Sequence, residues 1–372
     1  MSKEKTFLYE EIHNAIKEKI LSGEYGKGML LPSENEFCSI YHVNRITIRK
    51  ALLMLVNEQL VKKIPGIGTK VIHETTKPVS QQPRNEKKLQ DRQQASRGTI
   101  GFFIPTSTHK KDRISQPFYS EMFYFAEKEF HSKGYSFYYS ALEGTDTLAD
   151  ILEGRHLSGI ILLSNIDEKA IQTTLEKKIP TVLINAYHPR LCSILADNIY
   201  GMKDICEYII RQGHKKIALL SGITSYIATQ ERLLGCHYAF SEHQVPEPTI
   251  IETDWETETA YDKTLELFSS GKSHPTAIIA FNDSLALGAM QAVNKLGMSV
   301  PKDVSIVGFD GLDQDRYSMP ALTTVNTNIP LMAKLAARNL DFTIQHPEQP
   351  NNVRIIVPHE ISYRDSVSPE LS

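Results

Sequence analysis

Apolar residues near the start of the chain recur with a helical period. Leu8, Ile12, Ile16 and Ile20 fall on every fourth position with Ala15 beside them, a single stripe on a helix of about three turns. Gly23, Gly26 and Gly28 end it. A second helix is predicted to begin at Leu31-Pro32-Ser33-Glu34-Asn35-Glu36, where the Ser33 hydroxyl can cap the first turn and the Glu36 carboxylate can reach back, a capping box. Phe37, Ile40 and Tyr41 are expected to face inward from it. The turn His42-Val43-Asn44 leads to a third helix with Ile48, Leu52, Leu55 and Val56 on its buried side, the spacing of a helix-turn-helix. Two β-prone runs, Leu60 to Ile64 and Thr69 to Ile72, flank Pro65-Gly66-Ile67-Gly68, so the pattern predicts a hairpin, or wing.

From His73 to Arg97 the chain is rich in Gln, Lys, Arg and Pro and has almost no large apolar residue, so it cannot bury a core and is expected to be a linker. Beyond it, short apolar runs alternate with helical stretches: Thr99 to Ile104, Gly159 to Leu163, Pro180 to Ile184, Lys216 to Leu220, Thr276 to Phe281 and Val304 to Gly308. That alternation predicts parallel sheets with helices on both faces. Six or more strands spread over ~270 residues point to two doubly wound lobes around a cleft, with ligands at the carboxyl ends of the strands. The expected fold is therefore α/β overall. A winged helix-turn-helix occupies residues 1–72, a polar linker 73–97, and a two-lobed domain that also dimerises 98–372.

Charge sharpens this division. The net charge of −3 is unevenly spread: Lys and Arg against Asp and Glu number 11 and 8 in residues 1–72, 6 and 3 in 73–97, and 24 and 33 thereafter. A basic front suits a polyanion and an acidic remainder would repel it. Cys38, Cys192, Cys206 and Cys236 form no CxxC pair and no zinc spacing, and the 13 histidines show no paired metal pattern. No GxSxG elbow, GxxxxGK[ST] loop or HExxH helix is present, so neither catalytic residues nor a cofactor or metal is expected. The opening MSKEKTFLYEEIHNAIKEKI lacks the apolar core of a signal peptide and no run is long enough to span a bilayer, which predicts a cytoplasmic protein without a membrane partner.

Residues 31 to 71 resemble the winged-helix DNA-binding domain of the GntR family, through Leu31-Pro32-Ser33-Glu34, Arg45-x-Thr47-x-Arg49 and Gly66-x-Gly68-Thr69. Residues 99 to about 365 are similar to the effector domain of LacI-family repressors, which has the periplasmic sugar-binding-protein fold. The telling segments are Gly213-His214-Lys215-Lys216-Ile217-Ala218, Arg232-Leu233-Leu234-Gly235, Asn282-Asp283-Ser284-Leu285-Ala286-Leu287-Gly288, Val300 to Asp310, and Leu322-Thr323-Thr324-Val325. The combination looks like the AraR group of sugar repressors, although that likeness of architecture does not carry arabinose with it.

Arg45 and Arg49 stand one helical turn apart, so both guanidinium forks leave the same end of the third helix, where they can meet guanine O6 and N7 in a major groove. Asn44 and Thr47 flank them, and Lys62, Lys63 and Lys70 on the wing would neutralise phosphates, with Gly66 and Gly68 allowing close backbone approach. The resemblance adds Ser33, Glu34 and Thr69 to the candidate DNA-contact set. Two departures from the family's usual pattern are Asn35, where Arg is frequent, and His42, where Gly is common.

Sugars present flat C–H faces and vicinal hydroxyl pairs, so their sites need aromatic rings and planar Asp, Asn or Arg groups. The resemblance implies Phe118, Tyr119, Asn185, Asp197, Arg232, Trp255, Asn282, Asp283 and Asp310 as effector-binding candidates. Arg232 would donate two bonds, Asp310 would accept from two hydroxyls and Trp255 would lie against the ring. Asn185 stands where the family more often has an acid; Asp283 serves equally as a helix N-cap, Phe118 as core, and His214 as the residue that orders its turn. The expected function is a sugar-responsive repressor, not an enzyme. As a homodimer it would hold double-stranded operator DNA and release it when a mono- or disaccharide fills the cleft. An activator, a transport-associated sugar-binding protein and an enzyme with an accessory DNA-binding domain are the alternatives.

Overall fold

The computed structural model describes residues 8–41, 48, 51–52, 54–56, 58, 60–64, 68–73, 97–105, 113–142, 147–269 and 274–370. The chain forms two compact units, Met1–Arg92 and Gln93–Ser372.

In the first unit, helix α1 (Leu8–Leu21) buries Ile12, Ile16 and Ile20, the stripe read from the sequence. Helix α2 (Glu34–Tyr41) opens on the expected capping box: the Glu36 amide donates to Ser33 Oγ at 3.3 Å and the Ser33 amide donates to Glu36 Oε2 at 2.8 Å. Phe37 is fully buried and tilts against Tyr41 at 6.0 Å between ring centroids, whereas Ile40, expected to face inward, is 55% exposed. The helical period explains this correction, since Tyr41 lies about 40° round from Phe37 and Ile40 about 60° the other way. The core lies on the Tyr41 side. Ile48, Ala51, Leu52 and Leu55, all on helical backbone, complete the core together with Leu60, Val61 and Val71. Glu58 ties this stretch to α1 through Lys17 at 2.9 Å and His13 at 3.1 Å. Strands β1 (Val61–Ile64) and β2 (Gly68–Val71) pair antiparallel with Val61 opposite Val71, both buried, and Lys62 opposite Lys70.

The second unit contains two six-stranded sheets. The first lobe holds β3 (Thr99–Pro105), β4 (Ser136–Leu142), β5 (Gly159–Leu163), β6 (Thr181–Ile184), β7 (Cys192–Ala196) and β13 (Arg354–Val357), in the order β13-β7-β6-β5-β3-β4, all parallel. Helix α3 (Pro117–Ser132) packs against this sheet, and α4 (Leu148–Ile151) and α5 (Glu168–Glu176) follow β4 and β5.

The second lobe holds β8 (Ile217–Ser221), β9 (Thr249–Glu252), β10 (Ala277–Ala280), β11 (Ser305–Asp310), β12 (Thr323–Asn326) and β14 (Glu360–Ser362), in the order β14-β12-β11-β10-β8-β9. Only β14 runs antiparallel in it. Helices α6 (Asn198–Arg211), α7 (Ile227–Glu242), α8 (Thr257–Ser269) and α9 (Asp283–Lys295) belong here, whereas α10 (Ile329–Gln345) returns to pack on α3 and on β5, β6 and β7. The chain thus passes between the lobes three times: from β7 to α6, from β12 to α10 and from β13 to β14. His359, in the third passage, meets Asp197 of the first at 3.5 Å and Asp204 of α6 at 3.1 Å.

Central strands β5, β6, β8, β10 and β11 are buried on both faces, which is why their sequences read as continuous apolar runs. No helix among the described residues is long and apolar enough to cross a membrane.

Candidate functional site

The predicted DNA-contact residues Asn44, Arg45, Thr47, Arg49 and Gly66 lie outside the described residues. Glu34 begins α2, Lys63 lies in β1 and Gly68 starts β2. Ser33 and Thr69 have local structural work: Ser33 caps α2, and Thr69 is buried, its carbonyl accepting from the Leu31 amide at 2.8 Å. Lys62 and Lys70 stand opposite each other on one face of the wing. Like charges directly across a ladder repel, so the pairing leaves this face of the wing basic.

A cavity lies between the two lobes, with about 80 Å³ open to the centres of water molecules. The first lobe contributes Arg113 and Gln116 ahead of α3, Phe118 and Tyr119 in its first turn, Ser164 and Asn165 after β5, and Asn185 after β6. From the second lobe come Ala228 and Arg232 of α7, Asp254, Trp255 and Glu256 after β9, Asn282 and Ser284 at the start of α9, and Asp310 at the end of β11. Most are at carboxyl ends of parallel strands, where the fold leaves backbone to diverge. Ser164, Asn185, Trp255 and Asp310 have positive φ angles of 65°, 50°, 75° and 123°. Backbone held in this region by non-glycine residues is strained, and here it concentrates around one cavity.

Arg232 is buried at the centre of the second-lobe wall. Its Nε donates to Asn198 Oδ1 at 2.9 Å, its Nη1 to the Phe281 carbonyl, and its Nη2 faces Asp310 Oδ1 at 3.6 Å. The guanidinium lies 3.7 Å from the centroid of Phe309 and 5.7 Å from that of Trp255. Burial lowers the Arg232 pKa and raises that of Asp310, and in each the charge of the other opposes the shift. The Asp310 carbonyl accepts from the amide and hydroxyl of Thr327 at 3.2 and 3.1 Å, which fixes its strained backbone. The indole of Trp255 fills the space over Gly222, where a Cβ would come within 1.9 Å of the ring. Among the described residues its buried Nε1–H has no acceptor.

Seven sequence candidates thus border the cavity: Phe118, Tyr119, Asn185, Arg232, Trp255, Asn282 and Asp310. Phe118 also packs on the first-lobe core, so both of its readings hold together. Asp197 and Asp283 do not border it, and these are corrections. Asp197 caps α6 by accepting from the Tyr200 amide at 3.2 Å, at the point where the chain leaves the first lobe. Asp283 is fully buried and accepts from the amides of Gly311 at 2.7 Å and Leu312 at 3.1 Å and from the Thr324 hydroxyl, holding the segment after Asp310. The helix cap expected of Asp283 belongs to Asn282, which accepts from the Leu285 amide at 2.7 Å. His214 bridges Thr276 and the Ser368 carbonyl at 3.0 and 2.9 Å, ordering its turn as expected.

Beside Asp283 sits Asp315, whose carboxyl oxygens are buried and, among the described residues, have no N–H or hydroxyl donor in reach. Burial and the neighbouring Asp283 push its pKa up to about 10, so it keeps its proton and donates it to Asp283. The sequence reading missed Arg113, Gln116, Asp254 and Glu256 on the cavity wall. Pro117 at the first position of α3 is a start signal that would have placed Arg113 and Gln116 at a helix mouth. Among the described residues no cluster of His, Cys, Asp and Glu could hold a metal ion.

Comparison with known proteins matches both units. Residues 8–71 fit the pattern of bacterial regulatory proteins of the gntR family, and residues 206–367 that of the periplasmic binding protein-like domain. The chain is 30% identical over 278 residues to the probable HTH-type transcriptional repressor ExuR of Bacillus subtilis, an alignment covering 72% of this chain and 80% of that one. A solved putative transcriptional regulator LacI from Bacillus cereus subsp. cytotoxis is 30% identical with a TM-score of 0.67, covering 74% of this chain and 99% of that one. The same TM-score of 0.67, at 24% identity and 73% and 99% coverage, relates the fold to a LacI family transcriptional regulator from Enterococcus faecium with bound ribose.

Proposed function

We propose that this chain, which belongs to the GntR/LacI-type family of transcriptional repressors, binds operator DNA as a dimer in the cytoplasm and releases it when a small carbohydrate enters the cavity between its lobes. The observation that carries the reading is the convergence of Arg232, Asp310, Asn282 and Trp255 on one inter-lobe cavity. Arg232 and Asp310 offer a fixed donor and acceptor to paired hydroxyls. The amide of Asn282 adds a polar contact, its oxygen already engaged by α9, and Trp255 supplies an aromatic face. The LacI family transcriptional regulator from Enterococcus faecium that shares this fold was solved with bound ribose, a ligand of this class.

On the DNA side, Arg45 and Arg49 are the proposed base readers, flanked by Asn44 and Thr47, while Lys62, Lys63 and Lys70 meet phosphates. For the dimer we assign the second-lobe face where Tyr317 and Met319, 77% and 93% exposed, stand beside Leu287 and Met290, with a second copy of the chain as occupant. Because sugar closes the lobes and DNA favours the other arrangement, linkage makes each ligand weaken the other.

A gel shift on DNA upstream of the gene and its neighbours, run with a panel of pentoses, hexoses and their acidic and phosphorylated derivatives, tests this. One sugar should abolish a retarded band that the protein alone produces. A protein that retards none of these fragments at low salt would not be the repressor described.

A further inference from the structure

The cavity holds two buried arginines in different electrostatic situations. Arg232 spends its donors on Asn198 and Phe281 and faces the carboxylate of Asp310. Arg113, in the short turn Arg113–Ser115 before α3, meets phenol oxygens among the described residues: its Nη1 donates to Tyr119 Oη at 3.2 Å, and Tyr226 of the facing lobe supplies a second hydroxyl. Its guanidinium also leans over the Tyr119 ring, 5.9 Å from the centroid. Among the described residues no carboxylate pairs with it, although it is 7% exposed and borders the cavity.

A buried guanidinium that faces neutral hydroxyls in place of a counter-charge is unfavourable, and its planar fork suits an anion, preferably a carboxylate or a phosphate that accepts two parallel bonds. The two acids on the same wall form no ion pair with Arg113 among the described residues and have other partners. Glu256 accepts from Gln116 Nε2 at 2.8 Å, and Asp254 accepts from the Glu256 amide at 3.1 Å. Trp255 adds a donor that has no acceptor among the described residues, its indole N–H. A ligand that completes this site must therefore bring acceptors and negative charge in addition to hydroxyls.

We propose that the effector is an anionic carbohydrate, a monosaccharide bearing a carboxylate or a phosphate, with the anionic group seated on Arg113 and the ring between Trp255 and the Arg232–Asp310 pair. This rests on the reading of the cavity as a sugar site and names the class of sugar. Because Arg113 and Tyr226 come from opposite lobes, an anion at Arg113 also binds at the seam that closure must seal.

The test is calorimetric titration of the full chain with matched probes: glucose, glucuronate and glucose 6-phosphate; galactose and galacturonate; ribose and ribose 5-phosphate; and inorganic phosphate and citrate as anions without a sugar ring. At least one acidic or phosphorylated sugar should bind ten-fold or more tightly than its neutral parent, which also decides between carboxylate and phosphate. Arg113→Gln should erase that preference while Arg113→Lys keeps part of it, with thermal melts showing both variants folded. A neutral sugar that binds as tightly as its charged derivatives would overturn the proposal and leave the sugar site standing, as would Arg113→Gln binding the charged sugar unchanged. Binding of citrate or phosphate with no sugar bound would instead sink the carbohydrate reading, and this proposal with it.

Discussion

At the scale of single residues, the ligand site and the buried acids behind it act through opposite charge situations. Asp310 accepts from a ligand only while Arg232 faces it, so Asp310→Ala removes an acceptor and leaves a buried guanidinium uncompensated. The expected cost is about 2–4 kcal/mol of ligand affinity, a loss of roughly 30-fold to 1000-fold by titration, with operator binding in the absence of ligand retained. Asp315 gives a pH prediction. Its pKa rises from 3.8 in the unfolded chain to about 10 in the folded one. Between these values the native state binds the extra proton, so its contribution to stability falls as pH rises through that window and recovers as pH drops. Asp315→Asn keeps a donor to Asp283 and removes the titration. Urea midpoints at pH 5 and pH 9 should accordingly differ less in the variant than in the parent; equal differences would mean that Asp315 is ionised in the folded protein.

Elements set how exactly these side chains are placed. Gly222, directly after β8, is required because the Trp255 indole occupies the place of any Cβ there. Trp255 is the chain's one tryptophan, so fluorescence reports on this cavity alone. Gly222→Ala should shift the emission of the free protein and weaken ligand binding at least ten-fold; an unchanged spectrum would mean the ring does not rest on that backbone. In the DNA-binding head, Ser33→Ala removes the cap on α2 and should cost about 1 kcal/mol of head stability, read from its melting.

Elements also determine what was legible in the sequence. The six strands recognised beforehand include the buried central ones, whose apolar runs stand out, and the α2 cap was readable from Ser33 and Glu36 because its chemistry is local. Strands β4 and β9 were missed because they are edges, half-buried or exposed, with polar and aromatic residues where a central strand is aliphatic. Asp283 and Asp197 were misplaced for a related reason. Asp283 stands between the cavity residues Asn282 and Ser284, but a one-residue step at the helix start turns its carboxylate to the backbone of the Gly311 segment, while Asp197 caps its own helix. Pro117 marks the helix mouth near Arg113, but its partner Tyr226 comes from the opposite lobe and leaves no local signal.

For the whole molecule, the two units should respond independently to substitution. Arg49→Ala is expected to abolish the gel shift by removing a guanine contact worth about 1–3 kcal/mol together with its part in docking, while leaving sugar titration unchanged. Unaltered operator affinity would refute the docking of the third helix. Tyr317→Asp combined with Met319→Asp places two charges on the proposed dimer face and should give monomers in sedimentation. Those monomers would retain sugar binding and lose the cooperative grip on paired half-sites.

The triple passage of the chain between lobes has a consequence for biosynthesis. When a ribosome has delivered the protein as far as Asn326, each sheet has five of its six strands, and α10, β13 and β14 are still to come. Neither half can close early, so nascent chains expose two unfinished hydrophobic layers until β13 and β14 have emerged. A chain cut before Arg354 would leave both halves one strand short at once, so neither half matures ahead of the other.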